Sequence, residues 1–276
     1  MSDGRRLLAE GVARLSAAGV AEPARDARLL LARALDLAPG RLTLLLGDPL
    51  PAGAAARFAA LLAERERRRP VSQILGTRAF WGRDFAVTAD VLDPRPETET
   101  LVARALEGAP GRRVLDLGTG SGILLVTLLA EWPEATGIGT DLSAAALAVA
   151  AQNAARHGVA ARAELVETDW ATTISGPFDV IVSNPPYIPE AEVADLAPEV
   201  RDWEPRAALT AGATGLEAYE RIAAELPRLL SPGGRAYLEF GAGQGAAIAA
   251  IFAARGFGRT GFLRDMDGRD RALAIE

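Results

Sequence analysis

The stretch Asp116-Leu117-Gly118-Thr119-Gly120-Ser121-Gly122 follows directly on an apolar run that begins at Val114. Its three glycines at alternate positions let the chain turn tightly and let a ligand lie against the backbone. The pattern around it predicts a buried strand over 114–117 and a helix over 123–131. A glycine turn at the carboxyl end of a strand is a common place for α/β proteins to bind nucleoside-containing cofactors.

Strands and helices are predicted to alternate along the rest of the chain. The strands are expected at 136–140, 164–167, 178–183 and 235–240, with weaker ones at 260–263 and 271–275. The helices between them are expected at 144–156, 216–230 and 244–254. This alternation predicts an α/β fold whose parallel sheet is covered by helices on both faces.

The beginning of the chain has a different pattern, which predicts only helices, over 5–18, 24–35 and 54–68. Residues 80–87 are typical of short strands around a turn. We therefore expect three parts: a small all-helical N-terminal domain over 1–76, a hairpin linker over 77–95, and the α/β domain over 96–276. The basic run at 65–69 is interpreted as a solvated helix end.

Composition excludes several kinds of chemistry. The chain has no cysteine, no lysine and one histidine, His157. Disulfides, thiolate metal sites, a cysteine nucleophile, a Walker-type phosphate loop and a lysine Schiff base are therefore ruled out, and no metal site is expected. A net charge of −6 does not attract a phosphate backbone to the surface as a whole, so stable nucleic-acid binding is not expected.

No apolar stretch approaches the roughly 20 residues that span a bilayer. The first residues also lack the apolar core and cleavage site of a secretory signal. We expect a cytoplasmic protein that does not associate with membranes.

Two further elements favour a nucleoside cofactor. Asp141 ends the second predicted strand, where an acid often accepts ribose hydroxyls. The spacing G-x-G-x-G departs from the dinucleotide fingerprint G-x-G-x-x-G and favours S-adenosylmethionine. After the third strand, Asp169 could accept from an adenine amino group and Trp170 could cover the purine face, although a turn aspartate and a core tryptophan would look the same.

The fourth predicted strand ends in Ser183-Asn184-Pro185-Pro186-Tyr187. Neither proline has an N–H, and Pro185 pushes Asn184 toward an extended conformation. The turn therefore presents acceptors, the Asn184 side-chain oxygen and the Pro185 carbonyl, beside the flat ring of Tyr187. Such a site suits a planar group with two N–H donors, either an amide or an exocyclic base amine; a purely structural Pro-Pro turn is the alternative.

These motifs resemble those of class I (Rossmann-like) S-adenosylmethionine-dependent methyltransferases with an N-P-P-Y signature. Two further stretches, Pro70-Val71-Ser72-Gln73-Ile74-Leu75-Gly76 and Pro94-Arg95-Pro96-Glu97-Thr98-Glu99, resemble the HemK/PrmC family of peptide chain release factor glutamine methyltransferases. The resemblance implies a seven-stranded methyltransferase domain behind a helical N-terminal domain that docks the substrate. It also implies methyl transfer from S-adenosylmethionine to N5 of the glutamine in the Gly-Gly-Gln motif of release factors, which supports translation termination.

The resemblance also implies residue roles. Residues 118–122, Asp141, Trp170 and Asn184 would contact the cofactor, and residues 184–187 would contact the substrate. Asn184, Pro185 and Tyr187 are the candidate catalytic residues. We expect a monomer whose protein partner is a release factor.

Three rivals remain open. Adenine-N6 methyltransferases of nucleic acids also use N-P-P-Y, but they bind a phosphate backbone, and no basic recognition region is evident here. A glutamine methyltransferase of a ribosomal protein is closer, although residues 94–99 resemble the release-factor branch better. A binding module without catalysis would have little use for an intact N-P-P-Y turn.

Overall fold

The structure is a computed structural model that describes residues 4–265 and 267–276. It contains two compact units. The first, here called the helical unit, comprises residues up to Thr77 together with Ala197–Trp203. The second, the sheet unit, comprises Arg78–Leu196 and Glu204–Glu276. Within 4–265 and 267–276, no helix is both long enough and apolar enough to cross a membrane.

The chain forms helices and strands in the following order. The α-helices are α1 (Gly4–Ala17), α2 (Pro23–Ala34), α3 (Leu42–Leu45), α4 (Ala54–Glu66), α5 (Val71–Leu75), α6 (Glu99–Glu107), α7 (Ile123–Glu131), α8 (Ala144–Arg156), α9 (Pro198–Arg201), α10 (Arg206–Leu209), α11 (Glu217–Leu229) and α12 (Gly245–Ala253). The strands are β1 (Thr77–Phe80), β2 (Arg83–Ala86), β3 (Arg113–Leu117), β4 (Thr136–Asp141), β5 (Ala163–Glu167), β6 (Phe178–Ser183), β7 (Leu230–Glu239), β8 (Thr260–Arg264) and β9 (Asp270–Ile275). Short 3₁₀ turns lie at Pro39–Arg41, Pro96–Thr98, Ala160–Arg162 and Glu190–Asp195.

The helical unit is organised around leucines and one phenylalanine. Leu15, Leu30 and Leu31 are fully buried with Phe58 in one apolar cluster that α1, α2 and α4 share. Each such side chain contributes roughly 1.5–3 kcal/mol when buried. A Cβ at Gly11 would lie 2.6 Å from Phe58 Cζ, so glycine is needed for the phenylalanine to approach α1.

The basic run at 65–69 is only partly the solvated helix end expected from the sequence, because Arg65 is buried while the Arg67 side chain is 70% exposed. The Arg65 Nε donates to Asp26 Oδ2 at 2.7 Å and its Nη2 donates to Glu199 Oε1 at 2.9 Å, within the helical unit. Arg68 donates to both carboxylate oxygens of Glu199, at 2.8 and 2.7 Å. The guanidinium of Arg65 is buried, and such a charge is tolerated because carboxylates surround it.

The sheet unit contains the predicted seven-stranded sheet, in the order β5-β4-β3-β6-β7-β9-β8. The first five strands in this order run parallel to one another. The predicted parallel sheet is confirmed except at one edge, where β9 pairs antiparallel with both β7 and β8. The apolar pattern of a buried strand is the same in either direction, so it did not indicate this reversal.

The central strands bury side chains on both faces. On β3, Val114 belongs to the core cluster beneath α6, α7 and α8, while Leu115 and Leu117 belong to the cluster beneath α11 and α12. Successive residues of a strand point to opposite faces, which is why Val114 and Leu115 join different clusters. Helices therefore cover both faces, as the sequence predicted.

Strand β7 differs in extent from the prediction, whereas the predicted short strands around a turn are present as β1 and β2. β7 begins at Leu230, five residues before the predicted start, and its pairing with β6 shifts register between Phe178 and Val180. β1 and β2 form a separate two-stranded sheet. Its turn residues, Trp81 and Gly82, have φ of 50° and 67°, the positive values that tight hairpin turns require.

Replacing Asp26 by alanine is expected to lower the free energy of unfolding of the full chain by about 3 kcal/mol, because Arg65 loses a buried carboxylate. Denaturant unfolding of the full chain would measure the loss. The matched control is Glu10→Ala, which removes the partner of an exposed Arg6 in α1 and should cost less than about 1 kcal/mol. Equal losses in the two variants would show that the buried Arg65–Asp26 pair stabilises the chain no more than an exposed ion pair does.

Candidate functional site

The polar residues of the sheet unit gather where the parallel strands end. Leu117 of β3 is in register with Thr140 of β4 and with Ser183 of β6, so the loops after these three strands leave the same edge of the sheet. Ser183 Oγ donates to the Leu117 carbonyl at 2.6 Å and ties two of the strand ends together.

A cavity of about 260 Å³ opens at this edge. Its lining contains most of the site residues predicted from the sequence, namely Gly118, Thr119, Gly120, Ser121, Asp141, Trp170, Asn184 and Pro186. Four predicted residues, Gly122, Asp169, Pro185 and Tyr187, belong to the same loops but do not line the cavity. Four segments of the chain, which follow β3, β4, β5 and β6, therefore meet around one space.

Asp141 fixes the conformation of the glycine turn by accepting a hydrogen bond from its backbone. The Gly120 N–H donates to Asp141 Oδ2 at 2.9 Å, and the Ser143 N–H donates to Oδ1 at 2.9 Å. Gly120 has a φ of 55°, and a Cβ built on it would meet no atom within 4 Å, so its bare backbone faces free space. Asp141 keeps unused lone pairs on both oxygens, because a carboxylate can accept about four hydrogen bonds.

Asp116 is a site residue that was not among the predicted contacts. Its Oδ2 accepts from Thr119 Oγ1 at 2.6 Å and from the Leu125 N–H at 3.2 Å. Its Oδ1 is buried and has no hydrogen-bond partner within the described part of the chain, although the residue lines the cavity. Burial raises the pKa of Asp116 to about 7. A buried, unpartnered carboxylate oxygen beside a cavity suits a cationic ligand group.

Trp170 lines the cavity and has a left-handed backbone conformation, which is rare for residues other than glycine. Its φ is 54°, which costs about 1–2 kcal/mol for an L-residue. A Cβ built on Gly118 would lie 3.8 Å from Cζ3 of Trp170, so the indole lies alongside the glycine turn. The neighbouring Asp169 instead pairs with Arg221 on α11.

Asn184 follows β6 and is oriented by two buried residues. Its Nδ2 donates to Thr98 Oγ1 at 3.2 Å, and Thr98 Oγ1 donates to Glu239 Oε2 at 2.6 Å. Thr98 and Glu239 are 0% and 2% exposed. Because the Asn184 nitrogen is engaged in this direction, its Oδ1 is the atom left to accept.

Tyr187 is fixed through its backbone. Its carbonyl oxygen accepts from Gln244 Nε2 at 2.8 Å, and Gln244 Oε1 accepts from the Gly241 N–H at 2.9 Å. Gly215 has a φ of 73°, and a Cβ there would lie 2.2 Å from the Tyr187 carbonyl oxygen. Burial raises the pKa of Tyr187 to about 12, so the phenol is neutral at physiological pH.

Arg95 forms a wall of the cavity together with the chain that follows Glu204. Its Nη2 donates to Glu204 Oε1 at 2.7 Å and to Oε2 at 2.8 Å. Pro205, Ala207 and Ala208 come directly after Glu204 and line the cavity. The ion pair therefore holds that segment against the site.

Sequence reasoning missed the supporting residues for an identifiable reason. Thr98 and Arg95 lie in the quoted stretch 94–99 but had no assigned task, and Glu239 is the last residue of a strand with no motif around it. The position of Glu239 at a strand's carboxyl end was the available signal. Within the described residues, no group of three or more His, Cys, Asp or Glu side chains is arranged to hold a metal ion.

Solved structures share this fold at low identity. The hMettl16 catalytic domain, in complex with a MAT2A 3′UTR hairpin, is 17% identical, with a TM-score of 0.59 over 83% of this chain and 84% of that chain. A methyltransferase from Pyrococcus furiosus is 16% identical, with a TM-score of 0.54 over 80% and 98%. These two likenesses concern the fold alone.

Family models and curated relatives are more specific. Residues 6–76 match the PrmC N-terminal domain, and residues 90–199 match the methyltransferase small domain. The release factor glutamine methyltransferase of Cereibacter sphaeroides is 58% identical over 97% of this chain and 96% of its own length. The protein of that name from Rhodospirillum rubrum is 47% identical over 97% and 83%. With such identity over almost its whole length, the chain belongs to the family of release factor glutamine methyltransferases.

Proposed function

We propose that this protein transfers the methyl group of S-adenosylmethionine to N5 of the glutamine in the Gly-Gly-Gln motif of peptide chain release factors. The observation that carries the proposal is the Asn184 amide. It lines the same cavity as the glycine turn and Asp141, with its nitrogen engaged and its oxygen free to accept. The family to which the chain belongs supplies the substrate.

The residues of the cavity fit S-adenosylmethionine. The unpartnered Asp116 Oδ1 suits a cationic amino group, and the bare backbone at Gly120 leaves room for a ligand. Asp141 would accept ribose hydroxyls, while Trp170 and the 63% exposed Leu142 would lie against the adenine. A contact of Asp169 with the adenine amino group stays a prediction, because Arg221 now engages one of its oxygens.

On the substrate side, the chain would hold a planar amide by its two N–H groups. Asn184 Oδ1 and the Pro185 carbonyl would accept these hydrogens, and Pro185 and Pro186 bring no competing N–H. Tyr187, held by Gln244, would supply a flat wall. An amide placed in this way presents its nitrogen toward the cavity.

Holding the substrate amide in line with the methyl group should contribute more to the rate than making its nitrogen more nucleophilic. An amide nitrogen is a poor nucleophile, and its resonance is reflected in a rotation barrier of about 18–20 kcal/mol. Hydrogen bonds of roughly 1–3 kcal/mol from Asn184 and Pro185 cannot remove that resonance, whereas holding two reactants in line contributes ~7–11 kcal/mol. The bound cofactor supplies an electrophilic methyl group, and the amide needs no strong base before transfer because the alkylated nitrogen loses its proton readily.

We infer further that the N-terminal domain, residues 1–76, docks the release factor, with residues 77–95 as the linker and 96–276 as the methyltransferase domain. The match of residues 6–76 to the PrmC N-terminal domain supports this division. The reaction belongs in the cytoplasm, where release factors act on the ribosome. We propose a monomer that forms no stable complex with nucleic acid, in keeping with its net charge of −6.

The test is transfer of labelled methyl from S-adenosylmethionine to purified release factor. Parallel reactions contain a release factor with Gln→Ala in its Gly-Gly-Gln motif, a ribosomal protein fraction, and duplex DNA. Label on the wild-type factor alone is the expected result. Label on DNA or on a ribosomal protein would reassign the substrate, and label on the Gln→Ala factor would reassign the target residue.

Asn184→Ala is expected to lower the rate of transfer about 100-fold, because the substrate amide loses the acceptor that holds it in line. Cofactor affinity, measured by calorimetry, should fall much less than the rate. The matched control is Gln152→Ala, which removes an exposed side-chain amide on α8. A normal rate in the Asn184 variant would remove this residue from the reaction.

Asp141→Ala is expected to weaken S-adenosylmethionine binding by at least about tenfold, because both the Gly120 N–H and the ribose lose a charged acceptor. Isothermal titration calorimetry would measure the dissociation constant. Glu167→Ala is the control, because Glu167 lies opposite Asp141 in register on β5 and does not line the cavity. Unchanged affinity in the Asp141 variant would contradict this placement of the ribose.

A further inference from the structure

The contact that orients Asn184 is part of a longer, directional chain of hydrogen bonds. Asn184 Nδ2 donates to Thr98 Oγ1, and Thr98 Oγ1 donates to Glu239 Oε2. The last bond, at 2.6 Å, is short, as hydrogen bonds to a charged acceptor are. Neither Thr98 nor Glu239 lines the cavity, so their hydrogen bonds reach the site through Asn184.

The direction of this chain follows from counting hydrogens. A threonine hydroxyl has one hydrogen to donate, and an ionised carboxylate can only accept. While Glu239 is ionised, the Thr98 hydrogen must point to Glu239, and Thr98 can only accept from Asn184. The Asn184 amide is therefore held with its NH2 toward Thr98 and its Oδ1 away from it.

We propose that Thr98 and Glu239 are positioning residues that fix the polarity of the Asn184 amide and thereby make the site select glutamine over glutamate. This rests on the proposed function, in which Asn184 Oδ1 accepts from the substrate amide. A glutamine side chain brings N–H donors to that oxygen. A glutamate brings only acceptors, which the fixed Oδ1 and the Pro185 carbonyl repel.

Protonation of Glu239 would allow the hydrogen bonds from Asn184 through Thr98 to Glu239 to run in the opposite direction. A protonated carboxyl can donate to Thr98, whose own hydrogen is then free to point to Asn184 and favours the turned amide. Burial raises the pKa of Glu239 to about 7, above its ordinary value. The carboxylate, and with it the glutamine-selective polarity, is present above pH of about 7 and is lost as the pH falls through that value.

Besides burial, which is the main cause, the Thr98 hydrogen bond and several charged groups around Glu239 modify this pKa. Glu97, beside Thr98, raises the pKa, while Arg95 and Arg271 lower it. Tyr219 donates from its hydroxyl to the Glu239 backbone carbonyl at 2.7 Å. The phenols of Tyr219 and Tyr187 stay neutral in the range of interest, because burial raises both of their pKa values above 10.

The first measurement compares binding of two release factors, one wild-type and one with Gln→Glu in the Gly-Gly-Gln motif, to the full chain saturated with S-adenosylhomocysteine. In the wild-type chain the glutamine form should bind more tightly. Thr98→Val and Glu239→Gln should lower this preference roughly tenfold, the worth of a hydrogen bond to a charged group. Thr98→Ser should restore it, because the serine hydroxyl makes the same bonds.

Thr127→Val is the matched control, because Thr127 is a buried threonine of α7 whose Oγ1 has no hydrogen-bond partner within the described residues. It should leave the preference unchanged. If Thr98 and Glu239 only supported the fold, their variants would weaken both release factors alike, and an unchanged ratio would overturn the proposal.

The second measurement follows the same preference between pH 6 and 8. In the wild-type chain it should fall below pH of about 7, and in Glu239→Gln it should be low and flat. Asp116 and Glu204 are also buried acids with pKa values raised to about 7, so the loss of the pH dependence in Glu239→Gln is what assigns it. A pH dependence that survives in that variant would overturn the proposal.

The labelled-methyl assay separates this proposal from the function on which it rests. If the wild-type chain transfers no methyl to the release factor, the proposed function fails and the positioning proposal fails with it. If the wild-type chain transfers methyl and Thr98→Val keeps the full preference for glutamine, the positioning proposal alone is overturned.

Discussion

The parallel pairing of β3 with β4 on one side and β6 on the other is the constraint on which the site depends. Parallel strands bring their carboxyl ends to one edge, so a glycine turn, an acid and an asparagine from separate parts of the chain meet without a dedicated framework. A slip by one residue would move every side chain of these strands to the opposite face and into the wrong core cluster. The positions of the site residues are therefore fixed by the packing of the core strands from which they extend.

Local sequence predicted the parts of the site that carry their own backbone constraint. The glycines at 118–122 and the prolines after Asn184 restrict the chain by themselves, and Asp141 was found from its position at a strand end. Thr98 and Glu239 could not be found in this way. They are 141 residues apart in sequence and touch only because the sheet topology and the start of α6 bring them together.

The same limit explains the partly misinterpreted basic run at the end of α4. An isolated stretch of arginines is usually solvated, and nothing nearby in sequence indicates otherwise. Its partner Glu199 lies 134 residues beyond Arg65, in a short segment that belongs to the helical unit despite its place in the chain. Arginine suits this environment because its planar fork reaches two carboxylates at once, which the single ammonium of lysine does less well.

Gly215 lies outside the loop at 184–187, yet it limits how the enzyme could be redesigned. Any side chain there would push into the Tyr187 carbonyl, which is the acceptor for Gln244. Libraries aimed at a new methyl acceptor would naturally vary the visible loop at 184–187. The substitutions that such libraries tolerate would depend on residue 215 remaining glycine, because a side chain there would occupy the space beside the Tyr187 carbonyl.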